Sequence, residues 1–179
     1  MKLDHIALRL TPENHKKALE MYVELFEYSI IDTFAPTFSD DPNDNQECTC
    51  TVLCPPIDGT KKPNGPQLFI SSSTDPNSIV AKWVEKRKQT GSFVHHMAYV
   101  VPNIKESMEK FKKFGYEFLG DKIISCENGL QQTFTRPVDL TGVIYELMEK
   151  PILENGELED VNFCKSSVGN LMKATEKIN

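Results

Sequence analysis

Apolar and polar residues alternate with the period of a β-strand in two segments that read almost alike, DHIALRL at residues 4–10 and HHMAYVV at 95–101. Each is followed by a segment with the apolar spacing of a helix, over 12–27 and 104–115. Three strand-like segments then follow each helix, at 28–34, 47–54 and 66–72 in the first half and at 116–124, 130–138 and 142–150 in the second. The pattern therefore predicts strand, helix and three strands, written twice.

The repeat is long. His5 and His96 hold the same place in the two copies and stand 91 residues apart, which predicts duplicated modules and not a solenoid. We expect an α+β fold in which paired βαβββ modules form an open curved barrel, followed by a C-terminal helix. The predicted organisation is one domain over 1–150, followed by a tail and helix at 151–179. Within that domain the sequence predicts module one at 1–73, a linking helix at 74–91 and module two at 92–150.

Composition narrows the class of partner. The chain has 179 residues and a net charge of −6, with lysines and arginines scattered along the helices, so neither nucleic acid nor an anionic membrane is the expected partner. No apolar run approaches the length of a membrane span, and no signal-peptide pattern opens the chain. Five cysteines, an odd number, fit a reducing compartment. We expect a cytoplasmic protein.

Three of the cysteines lie close together in ECTCTVLC, at Cys48, Cys50 and Cys54. A structural zinc site usually recruits a second chelating pair from a turn elsewhere, and the sequence offers no such pair. Packing of small thiols in a strand is the favoured interpretation, with zinc as the alternative.

The histidines are the first candidates for chemistry. Paired modules would bring His5 and His96 to face each other across the barrel, and an alanine two residues after each leaves room beside it. Strand alternation lets only one of His95 and His96 point inward, and His96 matches His5. A hydrogen-bonded core histidine is the alternative for each one taken singly. Repetition at the equivalent position favours a functional pair.

Glu146 is the strongest single signal. It interrupts the apolar strand GVIYELM, where a buried carboxylate is costly unless a cation or metal compensates it. Gly142 matches Gly65 of the first module, so Glu146 matches Phe69. An edge strand with Glu146 in solvent is the alternative.

Together, His5, His96 and Glu146 offer two imidazoles and one carboxylate, a ligand set that leaves open positions on a divalent metal. Such a set suits non-heme Fe(II), which we favour, although Zn, Mn, Co or Ni can occupy similar ligands.

With these residues in place, the duplicated module resembles the vicinal oxygen chelate superfamily, which includes glyoxalase I, methylmalonyl-CoA epimerase, extradiol dioxygenases and 4-hydroxyphenylpyruvate dioxygenase. SIVAKWVEKRKQTGSFVHHMAYVVPNI resembles the epimerase's linking helix and second histidine strand. Epimerases use a glutamine as a fourth metal ligand, and Phe69 stands at that position here. Gln67, two residues earlier on the same face, is a candidate fourth ligand. The position of the epimerase's catalytic glutamate falls within CTVLC.

The C-terminal part resembles the dioxygenase. In LQQTFTRPV, Gln132 stands where a glutamine contacts the bound keto acid, and GVIYELMEK resembles the strand that carries the glutamate ligand. The tail NFCKSSVGNLMKATE resembles the segment and helix that close over the active site. Phe163 matches one of two phenylalanines that hold the substrate ring, and Val168 stands at the other.

This second resemblance implies a non-heme Fe(II) dioxygenase-like enzyme acting on a small 2-oxo acid or other carboxylate, with Glu146 and Gln132 in the catalytic machinery. It implies that Gln132, Phe134 and Phe163 contact the substrate. Phe69 is a further candidate for a substrate contact, and plain core packing is the alternative for the aromatic residues. Arg9 shares the strand parity of His5 and is a candidate for binding a carboxylate, a surface arginine being the alternative.

Dimerisation would replace the second domain that the dioxygenases carry, so a homodimer is a candidate assembly. Two other functions stay open from the sequence. One is a metal-dependent epimerase, isomerase or lyase of the glyoxalase or methylmalonyl-CoA epimerase type. The other is a non-catalytic module that binds a small molecule.

Overall fold

A computed structural model of the chain describes residues 1–36, 47–59, 63–88, 93–120, 123–137, 142–159 and 161. Its elements are, in chain order, β1 Lys2–Arg9, α1 Pro12–Phe26, β2 Ser29–Phe34, β3 Cys48–Cys54, β4 Gln67–Ser73, α2 Ile79–Arg87, β5 Val94–Val100, α3 Ile104–Lys113, β6 Ile124–Ser125, β7 Gln131–Phe134 and β8 Ile144–Glu149. The predicted α+β order of strand, helix and three strands is confirmed in both halves.

The chain forms two compact units. The N-terminal unit is His5–His95, and the C-terminal unit is Met1–Asp4 together with the chain from His96 onward. The boundaries therefore fall inside β1 and β5, next to the two histidines that the repeat singles out.

Each unit has the same sheet. The strand order is β2-β3-β4-β1 in the N-terminal unit and β5-β8-β7-β6 in the C-terminal unit. β1 runs parallel to β4, and β3 runs antiparallel to both of its neighbours. β5, β8, β7 and β6 repeat these directions in the same positions. This identical connectivity confirms the internal duplication.

Local capping explains where the first helix of each half begins. The side chain of Thr11 accepts a hydrogen bond from the backbone N–H of Asn14 at 3.2 Å, and a proline opens α1. Asn103 accepts from the N–H of Glu106 at 2.9 Å at the start of α3. There Glu149 of β8 also accepts from the backbone N–H of Ile104, at 2.6 Å. Both predicted helix starts are confirmed.

The helices define the two faces of each sheet. In the N-terminal unit, residues packed with α1 include Leu53, Leu68 and Ile70. In the C-terminal unit, Leu147 packs with Ile104 and Met108 of α3. Because side chains alternate along a strand, the residues between these belong to the opposite face. We call it the histidine face of each sheet, since it carries His5 in one unit and His96 in the other.

One predicted strand is wrong in its extent. The sequence predicts a strand over 116–124, of which the structure describes 116–120 and 123–124, and in this described part it has only the start of the two-residue β6 and an isolated bridge between Phe118 and Thr135. Gly120 has a φ of +78°, a left-handed conformation that breaks an extended strand. The segment before it pairs irregularly with the end of β7, through a hydrogen bond from the N–H of Leu119 to the carbonyl of Phe134 at 2.8 Å.

None of the helices in the described ranges is long and apolar enough to cross a membrane. The predicted C-terminal helix falls within 162–179, which lies outside the described residues.

Candidate functional site

Glu146 lies in the middle of its sheet. Its strand, β8, pairs with β5 on one side and β7 on the other, and Glu146 stands opposite Ala98 and Phe134. The residue is only 2% exposed. The alternative of an edge strand with this carboxylate in solvent is therefore wrong, and the ionised form of Glu146 requires a compensating positive charge within the protein or from a bound ion.

His96 provides the nearest basic group. Its Nε2 lies 3.2 Å from Oε2 of Glu146, and its side chain is 15% exposed. The ring of Phe134 meets the imidazole edge to face, with centroids 5.5 Å apart and planes at 85°, an arrangement that aromatic rings favour. The structure thus brings His96, Glu146 and Phe134 together on the histidine face of the C-terminal unit.

His95 points elsewhere. Its ring packs edge to face against Trp83 of α2, with centroids 5.4 Å apart. Strand alternation therefore separates the two neighbouring histidines, and the structure places His96 beside the carboxylate.

Gln132 lies on the same face, and its side chain already makes a hydrogen bond within the protein. It is 1% exposed, and its Nε2 donates to Sγ of Cys126 at 3.3 Å. Cys126 in turn belongs to an apolar cluster with Ala98, Met148 and Val161. Sequence reasoning missed Cys126 and Val161, because both lie in irregular segments whose packing no local pattern reveals.

The N-terminal unit repeats the geometry with different side chains. His5 stands opposite Gln67 and Ala7 opposite Phe69, just as Ala98 stands opposite Glu146 in the other unit. The predicted equivalence of Phe69 and Glu146 is thus confirmed in the strand registers. His5 is buried, at 1% exposed, and Gln67 is half-buried.

At the position equivalent to Glu146, Phe69 places an uncharged aromatic ring. It is buried, and its ring meets that of Phe34 edge to face, with centroids 6.0 Å apart. Gln67, two residues earlier in β4, carries a side-chain amide oxygen that can act as a ligand.

Arg9, the predicted carboxylate-binding residue, is buried and is not on the surface. Its guanidinium lies 5.8 Å from the ring centroid of Trp83, a cation–π contact. Burial lowers the pKa of Arg9 to about 10, while the nearby thiols of Cys48 and Cys50 raise it. The alternative of a surface arginine is wrong, and the role in binding a carboxylate stays a prediction.

The two thiols are linked to each other. A side-chain hydrogen bond with Cys50, assisted by Arg9, holds the pKa of Cys48 below its usual value, and the same bond with burial raises the pKa of Cys50 well above it. In the described part of the chain, these cysteines do not belong to a group of three or more side chains that could hold a metal ion.

A cavity of about 650 Å³ lies at the C-terminal ends of β5 and β8 in the C-terminal unit. It is lined in part by Val100, Lys150 and Ile152. None of its lining residues is a predicted site residue. Phe163 and Val168, predicted to stand at the two sides of the substrate ring, lie outside the described residues.

Comparison with known proteins gives the class of the fold. No protein-family model matches the sequence, and no curated protein matches it. Among solved structures, a selenomethionine methylmalonyl-CoA epimerase is 24% identical, with 84% of this chain and 96% of that chain covered and a TM-score of 0.58. A hypothetical protein from Bacillus halodurans C-125 is 26% identical, with 85% and 96% covered and a TM-score of 0.58. The methylmalonyl-CoA epimerase of Mycobacterium tuberculosis is 20% identical, with 83% and 87% covered and a TM-score of 0.57.

The chain therefore has the vicinal oxygen chelate fold, as its duplicated module predicts. The named neighbours are epimerases and a hypothetical protein. None of the three is named as an iron enzyme or a dioxygenase, and at these identities the likeness shows the fold.

Proposed function

We propose that this chain is a metal-dependent epimerase or related isomerase acting on a small carbonyl compound that bears a carboxylate or a thioester. In this proposal, His5, His96 and Glu146 hold a divalent metal ion. The observation that carries it is the buried Glu146 beside His96, in a duplicated fold that repeats the histidine at His5. The likeness to methylmalonyl-CoA epimerases favours an isomerase over an oxygenase.

The donor set fits a divalent metal. In this proposal the donors are two histidines and one acidic side chain, His5 from the N-terminal unit and His96 and Glu146 from the C-terminal unit. A metal would supply the positive charge that a carboxylate 2% exposed requires. Two imidazoles and one carboxylate suit several divalent metals and leave open coordination positions.

The position of the residue before His5 in the chain supports the inclusion of His5 in the proposed metal site. Asp4, the residue before it, pairs with Lys150 at 2.7 Å, and both side chains are largely buried. Lys150 directly follows the strand that carries Glu146. The peptide that leads into His5 therefore leaves the C-terminal unit beside that strand.

A divalent metal supplies Lewis-acid stabilisation of negative charge on the oxygens of a bound carbonyl compound. The contribution of the protein is to hold and orient the ligands. Phe134 restrains the imidazole of His96 by packing against its ring. Gln67, opposite His5 in the register, is the proposed fourth ligand. Gln132, Phe134 and Phe69 remain proposed substrate contacts, since all three lie on the histidine faces.

The test combines metal content with proton exchange. Protein stripped of metal is reloaded separately with Co²⁺, Ni²⁺, Mn²⁺, Zn²⁺ or Fe²⁺, and the bound metal is counted by elemental analysis. The variants are His5→Gln and His96→Gln, with Glu117→Gln as control because its side chain is 76% exposed. Proton exchange is followed in D₂O with two probes, methylmalonyl-CoA and the hemithioacetal of methylglyoxal and glutathione.

We expect about one metal ion per chain in wild-type protein and in the control, and much less in the two histidine variants. Metal content equal in all four proteins would remove the proposed site. Bound metal without exchange in either probe would contradict the isomerase and favour a binding module. Oxygen uptake that depends on a 2-oxo acid would favour the dioxygenase instead.

A further inference from the structure

An irregularity in β2 decides which of its side chains reaches the histidine face. Ile30 stands opposite Leu53 of β3 and Asp32 opposite Val52, so Ile31 is an extra residue that forms a β-bulge. Leu53 packs in the cluster under α1, and Val52 therefore points to the opposite side. Without the bulge, Ile31 would stand opposite Val52. With it, Asp32 takes that place and lies on the histidine face.

Burial of apolar surface does not explain the bulge. Ile30 and Ile31 are each 50% exposed, whereas Asp32 is half-buried. The bulge leaves an isoleucine in solvent and draws a carboxylate onto the face that carries His5, the reverse of what hydrophobic burial favours. Bulges are over-represented next to active sites, where they re-aim a side chain. The geometry thus indicates a role for the Asp32 side chain.

The composition of the sheet makes Asp32 stand out further. It is the one acidic residue in the described strands of the N-terminal unit. The strand registers place it in one row with Val52, Phe69 and Ala7, and the next row on the same face contains His5. A carboxylate and a candidate metal ligand thus share one face of one sheet.

The strand order sets the distance between the strands that carry Asp32 and His5. Strands β3 and β4 separate β2 from β1, so the two outer strands would be about 14 Å apart in a flat sheet. Val52 and Phe69, which lie between Asp32 and His5 on this face, are apolar and buried.

We propose that Asp32 is the catalytic base that moves the proton in the isomerase, an inference that rests on the proposed function. Its carboxylate accepts the proton from the carbon next to the substrate carbonyl, and the electron pair of the broken C–H bond moves toward the carbonyl oxygen to give an enolate. Water then donates a proton to the opposite face of the same carbon, the carboxylic acid gives its own proton to the water, and the carbonyl re-forms with the configuration of the carbon inverted. Positioned carboxylates act in this way as general bases.

The test measures exchange of the proton on the carbon next to the thioester carbonyl of methylmalonyl-CoA for deuterium. Metal-loaded wild-type protein is compared with Asp32→Asn, which keeps the shape and removes the base, and with Asp32→Glu, which keeps the carboxylate. Glu24→Gln, on an exposed position of α1, is the matched control. Metal content, and the Kd of methylmalonyl-CoA by calorimetry, are measured on all four proteins.

We expect D32N to lower the exchange rate about 100-fold or more, with metal content and Kd unchanged, and D32E to recover at least about tenfold over D32N. Exchange by D32N within about threefold of wild type would overturn the assignment of Asp32 while leaving the isomerase intact. An equal loss in D32N and D32E, or a loss that follows metal content, would also overturn it. Wild-type protein that binds metal without exchanging the proton would remove the proposed function and this assignment together.

Discussion

Replacing Glu146 with glutamine removes one negative charge from the histidine face and leaves nearly the same volume. Glu146 is 2% exposed, and one of its oxygens lies 3.2 Å from the imidazole of His96. Burying a carboxylate costs several kcal/mol before its partners repay it. We therefore expect metal-free E146Q to be at least as stable as metal-free wild type, and to lose the stabilisation that a metal confers.

The size of that loss follows from linkage. A metal that binds only the folded state at 100 times its Kd adds about 2.7 kcal/mol to the free energy of unfolding. If loss of the charged ligand weakens binding about 100-fold, the same concentration adds only about 0.4 kcal/mol. The difference of about 2.3 kcal/mol corresponds to roughly 5–9 °C in Tm for a chain of this size.

The assay is thermal unfolding in EDTA and again with Co²⁺, for wild type, E146Q and the exposed control Glu117→Gln. The control should keep the full metal-induced rise in Tm. An equal rise in E146Q and wild type would refute the placement of Glu146 in a metal site. A large fall in the Tm of metal-free E146Q would refute the premise that the buried charge of Glu146 destabilises the metal-free protein.

Three further outcomes can be measured. Phe134→Leu removes the edge-to-face contact with the imidazole of the proposed metal site and should cost about 1–2 kcal/mol in chemical denaturation and weaken metal binding, with unchanged affinity contradicting a positioning role. Burial lowers the pKa of His15 from 6.5, so the unfolded chain takes up its proton first as the pH falls. The free energy of unfolding should then be greatest above pH 6.5 and decline below it by up to about 1.4 kcal/mol per pH unit, with a shallower decline in His15→Gln. Gly129→Ala should cost about 1–2 kcal/mol, because Gly129 has a φ of +82° and an added Cβ would lie 2.9 Å from the ring of Pro151. Gly156→Ala, at φ +81° with open space around it, separates the clash from the backbone strain, and equal melting temperatures for the two variants would rule the clash out.

Much of the fold is legible in the sequence because its signals are local. The alternation around His5 and His96, and the capping residues Thr11 and Asn103, specify strands and helix starts within a few residues of themselves. Local signals also mislead, since most of the described part of the strand predicted over 116–124 is not a regular strand. Its residues have strand propensity, but the left-handed turn at Gly120 interrupts the pairing.

Part of the candidate site is also visible without the structure. Repetition marks the two histidines, and a carboxylate inside an apolar strand marks Glu146. The contacts of the neighbouring side chains cannot be predicted from the sequence. That Gln132 donates to Cys126 depends on a segment outside any regular pattern.

Asp32 shows most clearly what only the tertiary structure decided. Simple alternation from Ile30 would turn this carboxylate toward α1, on the same side as Leu53. The bulge at Ile31 reverses that assignment. No residue type or pattern within β2 predicts the bulge. The sequence by itself determined the modules, the repeated histidines and the unusual glutamate, because each is a pattern among near neighbours or between copies. Which face a side chain occupies depends on strand register, which is set by hydrogen bonds between segments distant in the chain.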